Sequence, residues 1–171
     1  MEELKVLIDE QTIQDKVYEL AKKIEKDYEG KDLTLVCILK GSTFFTVDLA
    51  KRIDKKLKLQ FMKISSYGAK KISSGKINLE LDLPDNMENE NLLIVEDIID
   101  TGRTLSYLIK HLKQKNPASI KLCTLLDKPE RREYDVKVDY VGFEIPDKFV
   151  VGYGLDYNEM YRNLPYIAEV G

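Results

Sequence analysis

The 171-residue chain contains no tryptophan, one histidine and two cysteines, and its apolar runs are short. No run approaches the ~18 apolar residues that a membrane span needs. The beginning, "MEELKVLIDE", has neither the basic start nor the apolar stretch of a signal peptide. Cys37 and Cys123 lie inside apolar runs, without the spacing of metal ligands or of a disulfide framework. These absences predict a cytoplasmic protein with reduced, buried cysteines.

An excess of charge of one sign is missing as well. The chain has 27 basic and 30 acidic residues, which gives a net charge of -3. Nucleic-acid-binding domains usually carry a basic excess, so we expect neither nucleic acid nor a membrane as a partner. Hydrophobic residues make up 43% and charged residues 33%, as in ordinary globular domains. The length suits a single domain, residues 1–171, with one substantial core.

Apolar periodicity predicts alternating strands and helices. Thr12 is predicted to cap a first helix that ends near Tyr28. The run "LTLVCIL" predicts a central strand covered on both faces, and "LQFMKIS", "INLELDL", "LLIV" and "IKLCTLL" predict further strands. Alternation of this kind indicates an α/β fold with a right-handed, twisted parallel sheet flanked by helices.

One internal segment has no apolar period. Residues 65–76, "SSYGAKKISSGK", are rich in serine, glycine and lysine. Loops of this length are usually functional or disordered. We therefore predict a mobile loop here that acts as a lid.

The stretch "LLIVEDIIDTGRTL" places unusual chemistry between a strand and a helix. A loop that enters a helix directs backbone N–H groups at a ligand, and the helix dipole favours an anion there. Gly102 permits close approach of the backbone, the hydroxyls of Thr101 and Thr104 add donors, and Arg103 adds positive charge. The combination predicts a phosphate-binding loop without the spacing of a Walker motif.

Three carboxylates precede these donors. Glu96 and Asp97 would repel a phosphate unless they bind Mg²⁺ or sugar hydroxyls. A ribose 5-phosphate lying across the loop would place its phosphate at the hydrogen-bond donors and its hydroxyls at the carboxylates. Asp100 would then be placed to act at the anomeric carbon. Alternatively, Asp100 caps the helix and the other two acids are solvated charges. The triplet "DTG" also occurs in aspartic proteases, but their chemistry needs two carboxylates that share a proton.

The same stretch resembles the phosphoribosyl pyrophosphate signature of the type I phosphoribosyltransferases. The segments "CILKGSTFF", "SSYG", "LLDKPERR" and "GFEIPDKFVVGYGLDYNEMYRNLPYI" resemble the hypoxanthine(-guanine) members in particular. The match runs from about residue 33 to residue 167, nearly the whole chain. It implies the type I phosphoribosyltransferase fold, with a small hood formed by the terminal segments. The C-terminal part would contribute to a purine-binding hood.

The resemblance implies a reaction of purine salvage. A 6-oxopurine attacks the anomeric carbon of phosphoribosyl pyrophosphate, which releases pyrophosphate and forms IMP or GMP. Asp100 would be the general base. The resemblance assigns pyrophosphate binding to a loop with a cis peptide bond before its lysine, and metal binding to carboxylates. The pyrophosphate contacts would be Lys40, Gly41 and Arg162, and the Mg²⁺ ligands Glu96, Asp97 and Asp156.

The purine contacts come from the same resemblance. Phe149 would stack on the base, the backbone of Val150 would pair with its edge, and Lys128 would contact the 6-oxo group. Ser66 and Tyr67 would belong to the lid. Without the resemblance, Phe149 would be predicted in the core and Lys128 in solvent. His111, the only histidine, is expected on the solvated side of a helix and has no predicted catalytic role.

Two alternatives remain open at the level of the sequence. The first keeps the fold and changes the base to xanthine or a pyrimidine. The second is an RNA-binding regulator built on the same fold, which would need a basic surface. The resemblance also implies a homo-oligomer, either a dimer or a tetramer.

Overall fold

The computed structural model describes residues 3–65 and 78–171. The predicted lid, apart from Ser65, and its residues Ser66 and Tyr67 lie outside these ranges. The elements are β1 (Leu4–Ile8), α1 (Glu10–Asp27), β2 (Thr34–Leu39), α2 (Thr43–Arg52), β3 (Lys58–Ser65), β4 (Asn78–Leu81), β5 (Asn91–Ile99), α3 (Arg103–Lys113), β6 (Ser119–Asp127), β7 (Tyr140–Glu144), β8 (Val150–Val151) and β9 (Ile167–Val170). A short 3₁₀ turn, Pro129–Arg131, follows β6.

Within residues 3–65 and 78–171, the main sheet has six strands in the order β4-β3-β2-β5-β6-β7. Strands β3, β2, β5, β6 and β7 are parallel, and β4 pairs antiparallel with β3 at the edge. The fold class predicted from the sequence is confirmed, with a mixed rather than an entirely parallel sheet. The chain leaves β2 toward β3 and leaves β5 toward β6. The strand order therefore reverses between β2 and β5, where α/β sheets bind ligands.

The sheet is covered on both faces, as continuous apolar strands require. One buried cluster joins α1 and α2 to the sheet and includes Phe45, Leu49 and Val95. The other cluster joins α3 to the opposite face and includes Leu108 and Ile94. Both cysteines are buried and free, as expected. Among the described residues, no helix combines the length and apolarity of a membrane span.

The terminal segments form a second, smaller sheet. Strands β1, β9 and β8 pair antiparallel in that order. β1 is the first strand of the chain and β9 the last, so the hood implied by the resemblance is present. It carries Val150 at an edge strand.

The cap of one helix differs from the sequence-based expectation, and the cap of another decides between two interpretations of Asp100. The first helix is capped by Asp9, whose carboxylate accepts a hydrogen bond from the Thr12 backbone N–H at 2.8 Å. Thr12 therefore lies inside the helix, because aspartate three residues earlier already satisfies its backbone donor. The cap of α3 is Gly102 with φ +85°. Asp100 does not cap this helix, which removes the structural alternative proposed for that residue.

The expectation that His111 is solvated was wrong. Its Nε2 atom lies 2.8 Å from Asp82 Oδ2, and its ring stacks on Tyr107 with 6.2 Å between centroids. The buried Lys115 ammonium contacts the same carboxylate at 3.2 Å. Periodicity showed which face of α3 is apolar. It could not show that the acidic segment before β5 folds against the polar face.

Candidate active site

The predicted site residues gather at the carboxyl ends of three neighbouring strands. β2 ends before Lys40 and Gly41, β5 carries Glu96 and Asp97 near its carboxyl end, and β6 ends before Lys128. β5 pairs with both β2 and β6, so the three strand ends form one crevice. Glu96 and Asp97 are strand residues here, because pairing with β6 continues to Ile99.

The connection from β5 to α3 encloses a cavity of about 190 Å³. Glu96 and residues 98–105 line it. Gly102 has a left-handed backbone, where residues other than glycine are strained. An added Cβ there would come within 3.2 Å of the Tyr134 carbonyl oxygen. Backbone donors of Glu133 and Tyr134 bond the Thr101 carbonyl oxygen at 2.9 and 3.0 Å, which braces the loop from outside. The cavity therefore lies at a helix N-terminus, where an anion is favoured.

Glu96, which is buried, and Asp97, which is partly buried, form an acidic pair beside this cavity. Burial, with the neighbouring Asp97 carboxylate second, raises the pKa of Glu96 well above its usual range. Burial also raises the pKa of Asp97. A cation or hydroxyl donors would relieve the cost of holding two carboxylates there. The pair therefore suits metal or sugar binding and is not a solvated strand end.

Glycines make room for this acidic pair. A Cβ on Gly41 would lie 2.8 Å from the Asp97 carboxyl carbon, and one on Gly154 would clash with the Gly41 carbonyl oxygen. The loop after β2 is thus packed between the Asp97 carboxylate and the segment that follows β8. Its peptide bond Leu39–Lys40 is cis, as the resemblance implies.

Lys40 and Arg162 are brought together by one carboxylate. Lys40 Nζ donates to Glu159 Oε2 at 2.9 Å, and Arg162 Nη2 donates to Glu159 Oε1 at 3.2 Å. Arg162 also donates to the Gly154 carbonyl oxygen at 2.6 Å and lies 3.5 Å from Asp156. The predicted pyrophosphate contacts and the predicted second metal ligand are therefore neighbours.

Asp100 is half-exposed at the mouth of the crevice. Its Oδ1 accepts a hydrogen bond from Arg131 Nε at 3.0 Å. Arg132 Nη1 donates to the Asp100 carbonyl oxygen at 3.2 Å and is itself paired with Asp127. The backbone at Asp100 is therefore anchored to the segment after β6. Its carboxylate remains open to the crevice.

Lys128 is buried, with 8% of its surface exposed, and is not the solvated charge that the sequence alone suggested. Its backbone N–H bonds the Ile99 carbonyl oxygen at 3.0 Å, and its ammonium lies 3.5 Å from Asp147 Oδ1. Asp147 also pairs with Arg131 at 3.4 Å. A salt-bridged chain thus links Lys128 to Arg131 and on to Asp100.

Phe149, which the apolar pattern alone would place in the core, is instead 53% exposed. Its ring meets Tyr157 edge-on with centroids 5.7 Å apart. An exposed aromatic ring held by a neighbour suits stacking on a ligand better than core packing. The prediction of a core position from apolar pattern alone would have been wrong.

Val150 presents its backbone at a free edge. β8 pairs only with β9 in the described small sheet, and the Phe149 carbonyl oxygen accepts from the Val170 N–H at 3.1 Å. Successive residues of a strand direct backbone groups to opposite sides. The N–H and C=O of Val150 therefore point away from β9, toward the side where a ligand edge can pair.

No group of three or more acidic, histidine or cysteine residues forms a metal cage in the part of the chain that the structure describes. Glu96 and Asp97 together offer two carboxylates, and Asp156 offers one at a separate position. That donor set fits Mg²⁺, which keeps several waters and is usually shared with substrate phosphates.

A larger cavity of about 580 Å³ lies between α3 and residues 135–139. None of the predicted site residues that the structure describes lines it. The size of a cavity is therefore not a guide to the site in this protein.

Four residues of the site were missed at the sequence level: Arg131, Asp147, Gly154 and Glu159. Arg131 and Asp147 stand within "DKPERR" and "IPDKF" beside residues that were predicted. Their charges were visible, but the contact between these loops requires the fold. Glu159 gave no signal, since an acid in a polar turn usually remains solvated.

Comparison with known proteins defines the class. Residues 5–158 match the family described as "Phosphoribosyl transferase domain", so the chain belongs to the phosphoribosyl transferase family. The hypoxanthine-guanine phosphoribosyltransferase of Bacillus subtilis (strain 168) is 51% identical over 164 residues, which cover 96% of this chain and 91% of that protein. A crystal structure of a hypoxanthine-guanine phosphoribosyltransferase from Bacillus anthracis, with HEPES in the active site, superposes with a TM-score of 0.94. It is 48% identical and covers 99% of this chain and 100% of that chain.

Another relative is longer. The bifunctional protein TilS/HprT of Listeria monocytogenes (strain F2365) is 51% identical over 164 residues, and this chain spans 25% of its length. The comparisons confirm the resemblance that the motifs indicated. They favour neither alternative, the change of base or the RNA-binding regulator.

Proposed function

We propose that the chain transfers the 5-phosphoribosyl group of phosphoribosyl pyrophosphate to hypoxanthine and to guanine, giving IMP or GMP and pyrophosphate. The observation that carries the proposal is the crevice at the ends of β2, β5 and β6. It joins a helix N-terminus, an acidic pair of which Glu96 is buried, a cationic pair and an exposed aromatic ring. The names of the relatives support the same activity.

In this proposal, the cavity lined by residues 98–105 holds the 5-phosphate. Backbone donors at the start of α3, with Thr101, Thr104 and Arg103, neutralise its charge. Glu96 and Asp97 lie at the other end of the loop and accept from the ribose hydroxyls or hold Mg²⁺. The sugar would thus span the loop between donors and acceptors.

Mg²⁺ would be held by Glu96 and Asp97 and, at a second position, by Asp156. When bound, it neutralises the charge that accumulates on the leaving pyrophosphate. Lys40 and Arg162 supply fixed positive charge at the same end of the crevice, and the backbone of Gly41 approaches closely because the residue has no side chain. Each of these groups favours departure of the pyrophosphate.

Asp100 would accept the proton of the attacking purine nitrogen. The carboxylate is half-exposed and is linked to Lys128 through Arg131 and Asp147. Arg131 holds it at 3.0 Å, which fixes its direction. General bases contribute about 10²- to 10⁴-fold to a rate. The lid, residues 65–76 with Ser66 and Tyr67, is proposed to exclude water during transfer.

The purine would lie against Phe149, with its edge at the backbone of Val150 and its 6-oxo group at Lys128. A lysine ammonium donates hydrogen bonds and accepts none, so it pairs with a carbonyl oxygen. Burial of Lys128 makes a mismatch at this position costly. The arrangement therefore favours 6-oxopurines over adenine.

We also propose a homo-oligomer in the cytoplasm. α2 exposes 42% of Phe44 and 45% of Val47. Leu59 and Phe61 of β3 pair with Leu35 and Cys37 of β2. Leu35 belongs to the cluster under α2, so Leu59 and Phe61 lie on the same side of the sheet as that helix. An apolar surface of this kind suits contact with a second copy of the chain.

The test is a transfer assay with phosphoribosyl pyrophosphate, Mg²⁺ and hypoxanthine, in which IMP and pyrophosphate are both measured. We expect the two products in equal amounts. Release of pyrophosphate without nucleotide formation would contradict the proposal.

A further inference from the structure

Glu159 pairs with Lys40 and Arg162, the two cationic side chains that the proposed function assigns to pyrophosphate. Each of its carboxylate oxygens is bonded to a different partner, Lys40 at 2.9 Å and Arg162 at 3.2 Å. The hydrogen bond from Lys40 lowers the pKa of Glu159, and the positive charge of Arg162 adds to this. The carboxylate thus presents two anionic oxygens at the position where a pyrophosphate would present its own.

The backbone holds Glu159 there at a cost. Tyr157 and Met160 exchange backbone hydrogen bonds of 3.0 and 2.9 Å, and the two residues between them, Asn158 and Glu159, have φ of +51° and +65°. This is the geometry of a two-residue type I′ turn. Such turns strongly prefer glycine at the second central position, where Glu159 stands. Turn chemistry does not explain the glutamate, and residues that break a local rule are expected at functional sites.

The turn is also anchored toward the site. The Glu159 backbone N–H donates to Asp156 Oδ2 at 2.9 Å, and Arg162 donates to the Gly154 carbonyl oxygen at 2.6 Å. The side chain of Glu159 is 64% exposed, so it can swing into solvent without unfolding the turn. These contacts combine a fixed backbone with a releasable carboxylate.

We propose that Glu159 is an internal competitor of pyrophosphate for Lys40 and Arg162. The inference rests on the proposed function and deepens it. A pyrophosphate group, free or as part of phosphoribosyl pyrophosphate, displaces the carboxylate when it binds. When pyrophosphate leaves, the carboxylate returns to the two cations. The consequence is weaker binding and faster release of the product.

A purely positioning role makes the opposite prediction. If Glu159 served to hold Lys40 and Arg162 in place for pyrophosphate, loss of its charge would weaken pyrophosphate binding. The sign of the change in affinity therefore separates competition from positioning.

The experiment is titration of the full chain with magnesium pyrophosphate by calorimetry, using the wild type and Glu159→Gln. Glutamine keeps the size and the backbone requirement of the side chain while removing its charge. We expect the dissociation constant to fall about threefold to tenfold, because exposed ion pairs are individually weak. Glu29→Gln, an exposed glutamate in the turn after α1, changes the net charge equally and should leave the constant unchanged.

Glu159→Gly serves as a second variant, because glycine is preferred in this turn and the fold is retained. It must show the same tightening, and the pyrophosphate inhibition constant of the transfer reaction must fall in parallel. Unchanged or weaker binding in either variant would overturn the competition. That result differs from failure of the proposed function, in which the wild type forms no nucleotide from any oxopurine.

Discussion

Replacing Gly41 by alanine should separate the geometry of the site from the stability of the fold. A Cβ at this position would lie 2.8 Å from the Asp97 carboxyl carbon, whereas carbon atoms in contact are ~3.5–4.0 Å apart. The carboxylate or the loop must therefore move by about 1 Å. Gly41 does not have a left-handed backbone in the structure, so alanine introduces no strain in φ. The whole effect comes from this displacement.

The size of the effect follows from the geometry. A misplacement of ~1 Å in a catalytic arrangement can cost about 10²-fold in rate. This corresponds to about 2.7 kcal/mol of transition-state stabilisation. Overpacking would also lower the free energy of unfolding by ~1–3 kcal/mol. We therefore expect kcat/KM for phosphoribosyl pyrophosphate to fall by about 10²-fold in a protein that still folds.

Gly30→Ala is the matched control. Gly30 has φ +75°, and no atom of the described residues lies within 4 Å of an added Cβ, so alanine there strains the backbone without touching the described site. We expect a loss of stability of ~1 kcal/mol and an unchanged kcat/KM. The assay combines initial rates over a range of phosphoribosyl pyrophosphate with thermal unfolding of both variants. If Gly41→Ala kept kcat/KM within threefold of the wild type, the packing of Asp97 against this loop would not be needed for function.

Three other expectations follow from the same geometry. Asp100→Asn should lower the single-turnover rate by about 10²- to 10⁴-fold while binding of IMP persists, and near-normal chemistry would show that Asp100 is not the base. Glu96→Gln should raise the free energy of unfolding at pH 8 more than at pH 5. The buried carboxyl has a raised pKa, so its stability contribution is present at low pH and is lost as pH rises through that pKa; denaturant unfolding at both pH values would refute this if the two changes were equal. Bound substrates should protect residues 65–76 from proteolysis, and equal cleavage with and without them would contradict the lid.

Much of the fold could be predicted because its strands are continuous apolar runs and its helices are amphipathic. The loop that we propose to bind phosphate could also be identified as a candidate, since Gly102, Thr101 and the acids lie within one short segment. Motifs of this kind carry their chemistry in adjacent residues. The structure then places that segment beside β2, the predicted central strand, with which β5 pairs.

What sequence reasoning could not supply depends on contacts between distant segments. Lys128 follows a buried strand and is held against Asp147 from another loop, so its burial could not be inferred from local polarity. The pairing of Glu159 with Lys40 joins residues 119 positions apart. His111 was misjudged for the same reason, because its partner Asp82 lies before β5.

The most direct test of the central claim is the choice of base. Initial rates should be measured with phosphoribosyl pyrophosphate, Mg²⁺ and each of hypoxanthine, guanine, xanthine, adenine and uracil, for the wild type and for Lys128→Ala. A site that pairs a buried donor with a carbonyl oxygen can discriminate by ~10⁴-fold or more. We predict turnover of hypoxanthine and guanine, essentially none of adenine, and a selective loss of oxopurine affinity in Lys128→Ala. Adenine turnover within tenfold of hypoxanthine would contradict the assignment of Lys128 and of a 6-oxopurine site.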